Sequence, residues 1–162
     1  MLREPFLLAV ATRSSITCIP AASNALVELG FERAQIELFV PLGITLFRFG
    51  PILYYAFSTV FVAQLYEVHV SLGGYMLIFL GALLTGLASA GTTGVLTISL
   101  LGVVFQPLGL PLEAALALLV TIDPIIDIFR TVAIVLPNCA AASVIYRVGK
   151  HELHNVLTPA AE

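Results

Sequence analysis

The sequence has few charged residues and few cysteines, and each shortage excludes a class of protein. Lys, Arg, Asp and Glu together make up 10% of the 162 residues, whereas an ordinary soluble domain carries about 25%. Hydrophobic residues make up 59%, and the mean hydropathy is +1.04. This composition predicts an integral membrane protein embedded in a lipid bilayer.

Basic clusters and closely spaced cysteines are also missing. The formal net charge is −3, and without a patch of Lys and Arg we expect no nucleic-acid partner. Cys18 and Cys139 are far apart and fit no metal-binding spacing, so two free, buried thiols are expected. His151 and His154 are three residues apart, but a polar tail is a commoner explanation than a metal site. No transition metal and no organic cofactor is expected.

The chain is organised around residues 122–138, an apolar run that contains ionisable and polar side chains. On a helix these side chains fall within a sector of about 100°, and they are Asp123, Asp127, Arg130, Thr131 and Asn138. Such a stripe in a membrane helix faces a bundle interior or a water-filled cavity, because charges are costly against lipid. The stripe is therefore a candidate site. The alternative is a structural ion pair of Asp127 with Arg130. It does not explain why Asp123, Thr131 and Asn138 lie on the same face.

Two segments predict helical hairpins that are too short to cross a membrane. Residues 1–30 place a hydroxyl-rich tip between short apolar arms, and residues 70–106 place a small, hydroxylated tip at 88–95 between two more. A membrane span needs about 20 apolar residues, so these arms favour re-entrant hairpins. The alternatives are an amphipathic loop for the first segment and a tight inter-helix turn for the second.

Residues 36–68 predict a transmembrane helix that is broken at 47–51, where Arg48, Gly50 and Pro51 coincide. Such breaks occur at membrane depth only where the freed backbone groups line protein or a cavity. Arg48 is thus a third intramembrane ionisable position. The alternative is an arginine that snorkels to the membrane surface or balances Asp123 or Asp127.

Residues 112–148 predict the polar-striped transmembrane helix, kinked at Pro124. Basic residues at 147–151 favour a cytoplasmic C-terminus with a tail at 151–162. The predicted fold is an all-α integral membrane protein with two re-entrant helical hairpins, one broken and one polar-striped transmembrane helix. Paired half-length segments of this kind indicate a secondary transporter.

Five short motifs follow one another in a specific order along the chain. They are Thr12-Arg13-Ser14-Ser15 with Pro20, Pro41-Leu42-Gly43 with Thr45, Ser89 with Gly91-Thr92 and Gly94, Gly109-Leu110-Pro111-Leu112, and the set Asp123, Asp127, Arg130 and Thr131. This series resembles the dicarboxylate and amino-acid:cation symporters, which include the glutamate transporter homologues. The resemblance implies that residues 1–150 are part of that family's transport domain.

The resemblance also implies substrate contacts. Arg130 would bind a side-chain carboxylate through its planar fork, Asp127 a substrate amino group, and Thr131 would add a hydroxyl contact. The other carboxylate would be held by Ser14 and Ser15, and Arg13 would neutralise Asp127. Ile134 stands where the family has Asn, so a plain dicarboxylate is as plausible a substrate as aspartate or glutamate.

The resemblance implies that one of the family's sodium sites is kept here. Its ligands would be the main-chain carbonyls of Thr45, Ser89, Ala90 and Thr92. Two others are altered, because Phe47-Arg48-Phe49-Gly50-Pro51 replaces Asn-Met-Asp-Gly-Thr and Asn138 replaces an Asp. Hard cations need oxygen ligands, and the phenylalanines and Ile134 offer none from their side chains. The altered coupling region therefore comprises Arg48, Asn138 and Asp123. We hypothesise that Arg48 places a fixed positive charge near a cation position, so that Na⁺ coupling is reduced, lost or replaced by H⁺.

Members of this family are much longer than 162 residues. The resemblance thus implies a missing N-terminal scaffold half, on this chain or on a partner chain, a multi-pass location in the cell's inner membrane and a homotrimer. Two alternatives stand beside a transporter. One is a truncated, non-transporting remnant or accessory membrane subunit. The other is an intramembrane aspartyl protease using Asp123 and Asp127, which is disfavoured because Arg130 on the same face would hold both ionised. No enzyme is expected.

Overall fold

The computed structural model describes residues 2–92 and 94–157, with side chains described as far as Ile145. Over these residues the chain is helical and contains no strand. The helices are α1 (Arg3–Thr12), α2 (Ile19–Glu28), α3 (Arg33–Leu46), α4 (Phe49–Leu65), α5 (Leu72–Ala88), α6 (Val95–Ser99), α7 (Gly102–Phe105) and α8 (Leu112–Leu157), with a 3₁₀ turn at Gln106–Leu108. The predicted all-α class is confirmed.

Helices α1 and α2 fold back on each other through the hydroxyl-rich tip at 13–18. Arg13 ends α1 in the left-handed conformation, with φ 52°, and its N–H donates to the carbonyl of Ala9. Pro20 lies in the first turn of α2, where its missing N–H costs no hydrogen bond. The two helices pack against each other, and α1 also packs on α8. The first helix–tip–helix unit is present, while its re-entry into a membrane stays a prediction.

The break between α3 and α4 lies where the sequence predicts it, at Phe47 and Arg48, whose φ/ψ of −90°/76° and −96°/53° are not helical. Pro51 explains the position of the break, because a proline has no N–H to donate to the carbonyl four residues earlier. That carbonyl belongs to Phe47, and the side-chain amide of Asn138 donates to it at 3.2 Å. Asn138 of α8 therefore supplies the hydrogen bond that Pro51 cannot make.

The second hairpin is formed by α5 and the pair α6–α7. Ser71 caps the start of α5 and accepts from the N–H of Gly74 at 3.2 Å. Gly91 and Gly94, between the two arms, have φ of 78° and 59°, which suit glycine best. The returning arm is divided into two short helices rather than one, and α5 packs on both α4 and α7.

Helix α8 runs unbroken through Pro124, the proline predicted to kink it, and through Pro137. Each proline leaves one carbonyl four residues earlier without its helical donor. The helix continues to Leu157, so it includes the start of the tail predicted for 151–162. Residues 158–162 lie outside the described residues, and so do the side chains of His151 and His154.

Two hydrophobic cores share α8. The first joins α1, α2 and α3 to the later part of α8, including Ile134, and it buries Cys18 and Cys139 as free thiols, as predicted. The second joins α4, α5, α6 and α7 to the earlier part of α8, up to Leu119. The polar stripe therefore crosses the junction between the cores, and the break in α3–α4 lies at the same junction.

The outer surface of this bundle is apolar. Phe57 of α4 and Phe129 of α8 are each 69% exposed, and such exposure is typical of contact with lipid or another apolar partner. Among the described residues, Arg33–Leu65 is the helical stretch long and apolar enough to cross a membrane, and Leu72–Ala88 and Val95–Leu108 are shorter apolar stretches.

A substitution at Gly50 tests the close approach of α4 to α8. A Cβ at this position would collide with the carbonyl oxygen of Arg130 and lie 3.2 Å from the Cβ of Ala133. Gly50→Ala should therefore lower the free energy of unfolding by about 1–3 kcal/mol through overpacking. Thermal unfolding in detergent can be followed with a thiol-reactive dye, because Cys18 and Cys139 are buried until the chain unfolds.

The matched control is Gly73→Ala in the first turn of α5. A Cβ there would meet only the hydroxyl of Ser71, at 3.8 Å, and alanine is the better helix former. Equal melting temperatures for the two variants would contradict the described contact of α4 with α8.

Candidate functional site

A cavity of about 50 Å³ lies at the junction of the two cores. Both hairpin tips, the break before α4 and the polar stripe of α8 contribute to its wall. The lining residues are Arg13, Ser14, Ser15, Ile16, Arg48, Gly91, Thr92, Thr97, Asp127, Arg130, Thr131 and Ile134. The structure therefore brings together all six residues that the sequence singles out for substrate binding.

Arg130 is the most heavily engaged charge in this cavity. Its guanidinium donates from Nη1 to Asp123 Oδ1 at 3.3 Å and from Nη2 to Asp127 Oδ1, and it is 6% exposed. It also lies 4.7 Å from the centre of the Tyr54 ring, which adds a cation–π contact from α4. The ion pair of Asp127 with Arg130 is thus present. Arg130 also pairs with Asp123, a residue that an isolated Asp127–Arg130 pair does not explain.

The guanidinium retains N–H groups that could bind a further carboxylate. Arginine has five N–H donors in a fixed fork, and the bonds to Asp123 and Asp127 use only two of them. The hydroxyl of Thr131 donates to the main-chain carbonyl of Asp127 at 2.8 Å. Two aspartates and one arginine leave a net negative charge here, so added cationic groups are needed before an anion can bind.

The first tip presents hydroxyls and one cation to the cavity. The hydroxyl of Ser14 is 3.0 Å from that of Thr17 and 3.4 Å from the N–H of Thr17, while Ser15 is buried against the cavity. Arg13 lines the cavity together with Asp127, but the ion pairs of Asp127 among the described side chains are to Arg130. The neutralising role of Arg13 stays a prediction.

Arg48 is buried, with 5% exposed, and it points to the end of α5. Its Nε donates to the carbonyl of Gly86 at 3.1 Å, and its Nη2 donates to the carbonyl and the hydroxyl of Ser89 at 3.0 and 3.4 Å. Within the described part of the chain it forms no ion pair. Among the described side chains, Asp123 and Asp127 pair directly with Arg130 rather than with Arg48, and a wider role of Arg48 in balancing their charge stays a prediction.

Of the four carbonyls implied as a cation site, that of Ser89 contacts this arginine. The Ser89 oxygen accepts from Arg48 and also from the hydroxyl and the N–H of Thr92, at 2.9 and 3.1 Å. Thr92 lines the cavity, whereas Thr45 and Ala90 are exposed and are not part of its lining. Their role in binding a cation stays a prediction.

Asn138 and Asp123 lie beside the cavity rather than in its wall. Asn138 donates to the carbonyls of Phe47 and Ile134 at 3.2 and 2.7 Å, so it braces the break. Asp123 lines a neighbouring cavity of about 370 Å³ between Thr12 of the first hairpin and Gly94 of the second. Arg13 and Asp127 line both cavities, so the two spaces are adjacent.

Sequence reasoning missed two contributors, Tyr54 and Thr97. Tyr54 stacks under Arg130, and Thr97 bonds through its hydroxyl to that of Thr92 at 2.9 Å. A signal for the first was available, because four polar side chains recur along one side of α4. They are Tyr54, Tyr55, Ser58 and Thr59, all buried.

Comparison with known proteins finds one family model and several relatives. The model described as the sodium:dicarboxylate symporter family matches residues 1–148. The chain is 33% identical to an excitatory amino acid transporter of Caenorhabditis elegans over 93% of this chain and 30% of the relative. It is 32% identical to a proton/sodium-glutamate symport protein of Bacillus caldotenax, over 88% and 33%, and 29% identical to a C4-dicarboxylate transport protein of Rhizobium leguminosarum, over 99% and 36%. The chain thus spans about a third of the length of these relatives.

Replacing Arg130 tests whether the two aspartates depend on it. Arg130→Met removes the guanidinium and leaves the carboxylates of Asp123 and Asp127 buried without a cation. Breaking a buried ion pair from one side costs about 3–5 kcal/mol, so we expect a large fall in melting temperature by the thiol-dye measurement. Adding Asp123→Asn and Asp127→Asn to the same chain should recover much of the loss.

Arg33→Met serves as the control for this series. Arg33 pairs with Glu37 at 3.1 Å on the surface, where both side chains are more than half exposed, and such pairs contribute about 0–1 kcal/mol. If Arg130→Met lowered the melting temperature no more than Arg33→Met, the buried cluster would not hold the bundle together.

Proposed function

The chain belongs to the sodium:dicarboxylate symporter family, and on that premise we propose that it forms the substrate-binding part of a secondary symporter in a membrane. The substrates would be C4-dicarboxylates or acidic amino acids, and the coupling ion Na⁺ or H⁺. The names of two relatives point to these substrate classes, glutamate for one and C4-dicarboxylates for the other. The protein would move its substrate without transforming it, so it would not act as an enzyme.

The observation that carries the proposal is the convergence of cationic and hydroxyl groups on one cavity. Three arginines, Arg13, Arg48 and Arg130, line it with Asp127, and Asp123 is bound to Arg130 behind it. Three positive and two negative charges sum to +1, which favours an anion. A dicarboxylate would be held by fixed donors among buried side chains. Electrostatic attraction is stronger there than in solution.

In the proposed complex, one substrate carboxylate accepts from free N–H groups of Arg130, and the other accepts from the first tip at Ser14 and Ser15. Thr131 would contact the substrate after its hydroxyl turns away from the Asp127 carbonyl. A substrate ammonium group would have to compete with Arg130 for Asp127. Because Ile134 offers no polar group beside this position, a plain dicarboxylate fits the cavity better than an amino acid.

Transport would require more protein than these residues. Alternating access moves one body against another, so a scaffold is needed from the remainder of a longer protein or from a partner chain, with a homotrimer as the expected assembly. The two helix–tip–helix units would be re-entrant hairpins whose tips close over the substrate. We further propose a location in the cell's inner membrane with the C-terminus in the cytoplasm.

Ligand-dependent stabilisation tests the binding function directly. Succinate, fumarate, malate, aspartate and glutamate would each be added to the detergent-purified chain, and unfolding followed with the thiol-reactive dye. A ligand at 100 times its Kd stabilises the folded state by about 2.7 kcal/mol, so succinate should raise the melting temperature by several degrees, and by more than aspartate does.

Ser15→Ala is the matching site variant. Ser15 lines the cavity, and losing a hydrogen bond to a charged group costs about 1.5–3 kcal/mol, so the apparent Kd for succinate should rise at least tenfold. Ser23→Ala is the control, since Ser23 of α2 is equally buried, at 9% exposed, but lies outside the cavity lining. If no ligand shifted the melting temperature of the unaltered chain, the alternative of a non-transporting membrane subunit would replace this proposal.

A further inference from the structure

The guanidinium of Arg48 occupies carbonyl oxygens of the kind that bind cations. The last carbonyls of an α-helix have no helical donor, and they form the negative end of the helix dipole. Arg48 donates to two such oxygens at the end of α5, those of Gly86 and Ser89. Na⁺ and other hard cations bind the same kind of oxygen, often at the ends of interrupted membrane helices.

The Ser89 oxygen has no room for a further ligand. A carbonyl oxygen has two lone pairs, and this one already accepts from Nη2 of Arg48 and from the hydroxyl of Thr92. The Gly86 oxygen accepts from Nε of Arg48 and from the hydroxyl of Ser89, at 3.1 and 2.7 Å. A cation could bind here only after Arg48 had moved away.

The close packing of α4 on α5 places Arg48 beside the end of α5. Arg48 is the residue before α4 at the break, and α4 runs close along α5. A Cβ at Gly86 would lie 3.1 Å from the main-chain nitrogen of Ile52 and would collide with the Ile52 side chain. Because Gly86 lets the two helices approach, the side chain of Arg48 reaches the end of α5.

The charge of Arg48 is not cancelled by a carboxylate. The ion pairs recorded in the described part of the chain involve Arg33 and Arg130, so the partners of Arg48 are carbonyl dipoles. Its positive charge therefore remains available to attract an anion in the cavity that it lines. A bound monovalent cation would supply the same charge, but it would have to bind first.

We propose that Arg48 is a tethered cation, which takes the place of a bound monovalent cation at the end of α5. Carboxylate binding in the adjoining cavity then needs no Na⁺ at this position. The proposal rests on the proposed function for its carboxylate arm, and it makes a separate prediction for Na⁺ alone. It also links the second hairpin to the break before α4 through hydrogen bonds.

The experiment compares NaCl with choline chloride at equal ionic strength, with and without succinate. For the unaltered chain, Na⁺ alone should leave the melting temperature unchanged, and the apparent Kd for succinate should be the same in both salts. In Arg48→Met, the freed carbonyls should bind Na⁺, so NaCl should raise its melting temperature above that in choline. Its apparent Kd for succinate should be at least tenfold higher in choline than in NaCl.

Three further variants complete the comparison. Arg48→Gln is neutral but keeps amide donors, so it should show the same Na⁺ dependence if Arg48→Met does not fold. Arg48→Lys keeps the charge and should stay independent of Na⁺. Arg33→Met removes a surface arginine. Its melting temperature and its apparent Kd for succinate should therefore be the same in NaCl and in choline chloride.

Two results would overturn the proposal. One is stabilisation of the unaltered chain by Na⁺ that equals the stabilisation of the neutral variants. The other is a succinate Kd in the unaltered chain that falls tenfold or more when Na⁺ replaces choline. Absence of a succinate effect in every salt would instead contradict the proposed function, and the Na⁺-only comparison would still decide the role of Arg48.

Discussion

A buried guanidinium in an apolar bundle needs compensating groups, and the rest of this structure depends on how Arg130 obtains them. Two of its partners, Asp127 and Asp123, come from its own helix, one and two turns earlier respectively. The third, the ring of Tyr54, comes from α4 and fixes that helix against α8. Gly50 allows the contact, because any side chain there would push α4 off the Arg130 carbonyl. The polar stripe, the helix break and the junction of the two cores therefore form one arrangement.

The two buried arginines of the cavity are compensated in different ways. Arg130 is bound by formal negative charges, and an incoming carboxylate must share its donors with Asp123 and Asp127. Arg48 is bound by neutral carbonyls at the end of α5, so its charge is solvated but not cancelled. In the proposed complex, the first arginine would orient the anion through its fixed fork, while the second would contribute mainly electrostatic attraction.

The sequence predicts the elements of this site better than their contacts. The polar stripe of α8 follows from helical periodicity, and the break follows from Gly50 and Pro51, since both depend on local chemistry. The partners of Arg48 lie 38 and 41 residues away, and they depend on how closely α4 packs on α5. Asn138 illustrates the same limit, because its donation to Phe47 spans 91 residues. Tyr54 lies on the buried polar side of α4, a pattern that is visible in the sequence.

The two prolines of α8 have a mechanical consequence. Pro124 and Pro137 enclose the segment that carries Asp127, Arg130, Thr131 and Ile134. One main-chain hydrogen bond is missing near each end of this segment, and helices bend most easily at such points. Bending of α8 is therefore concentrated near residues 120–124 and 133–137, on either side of Asp127, Arg130 and Thr131. The groups that would hold a substrate can then tilt together while the distances among them stay fixed.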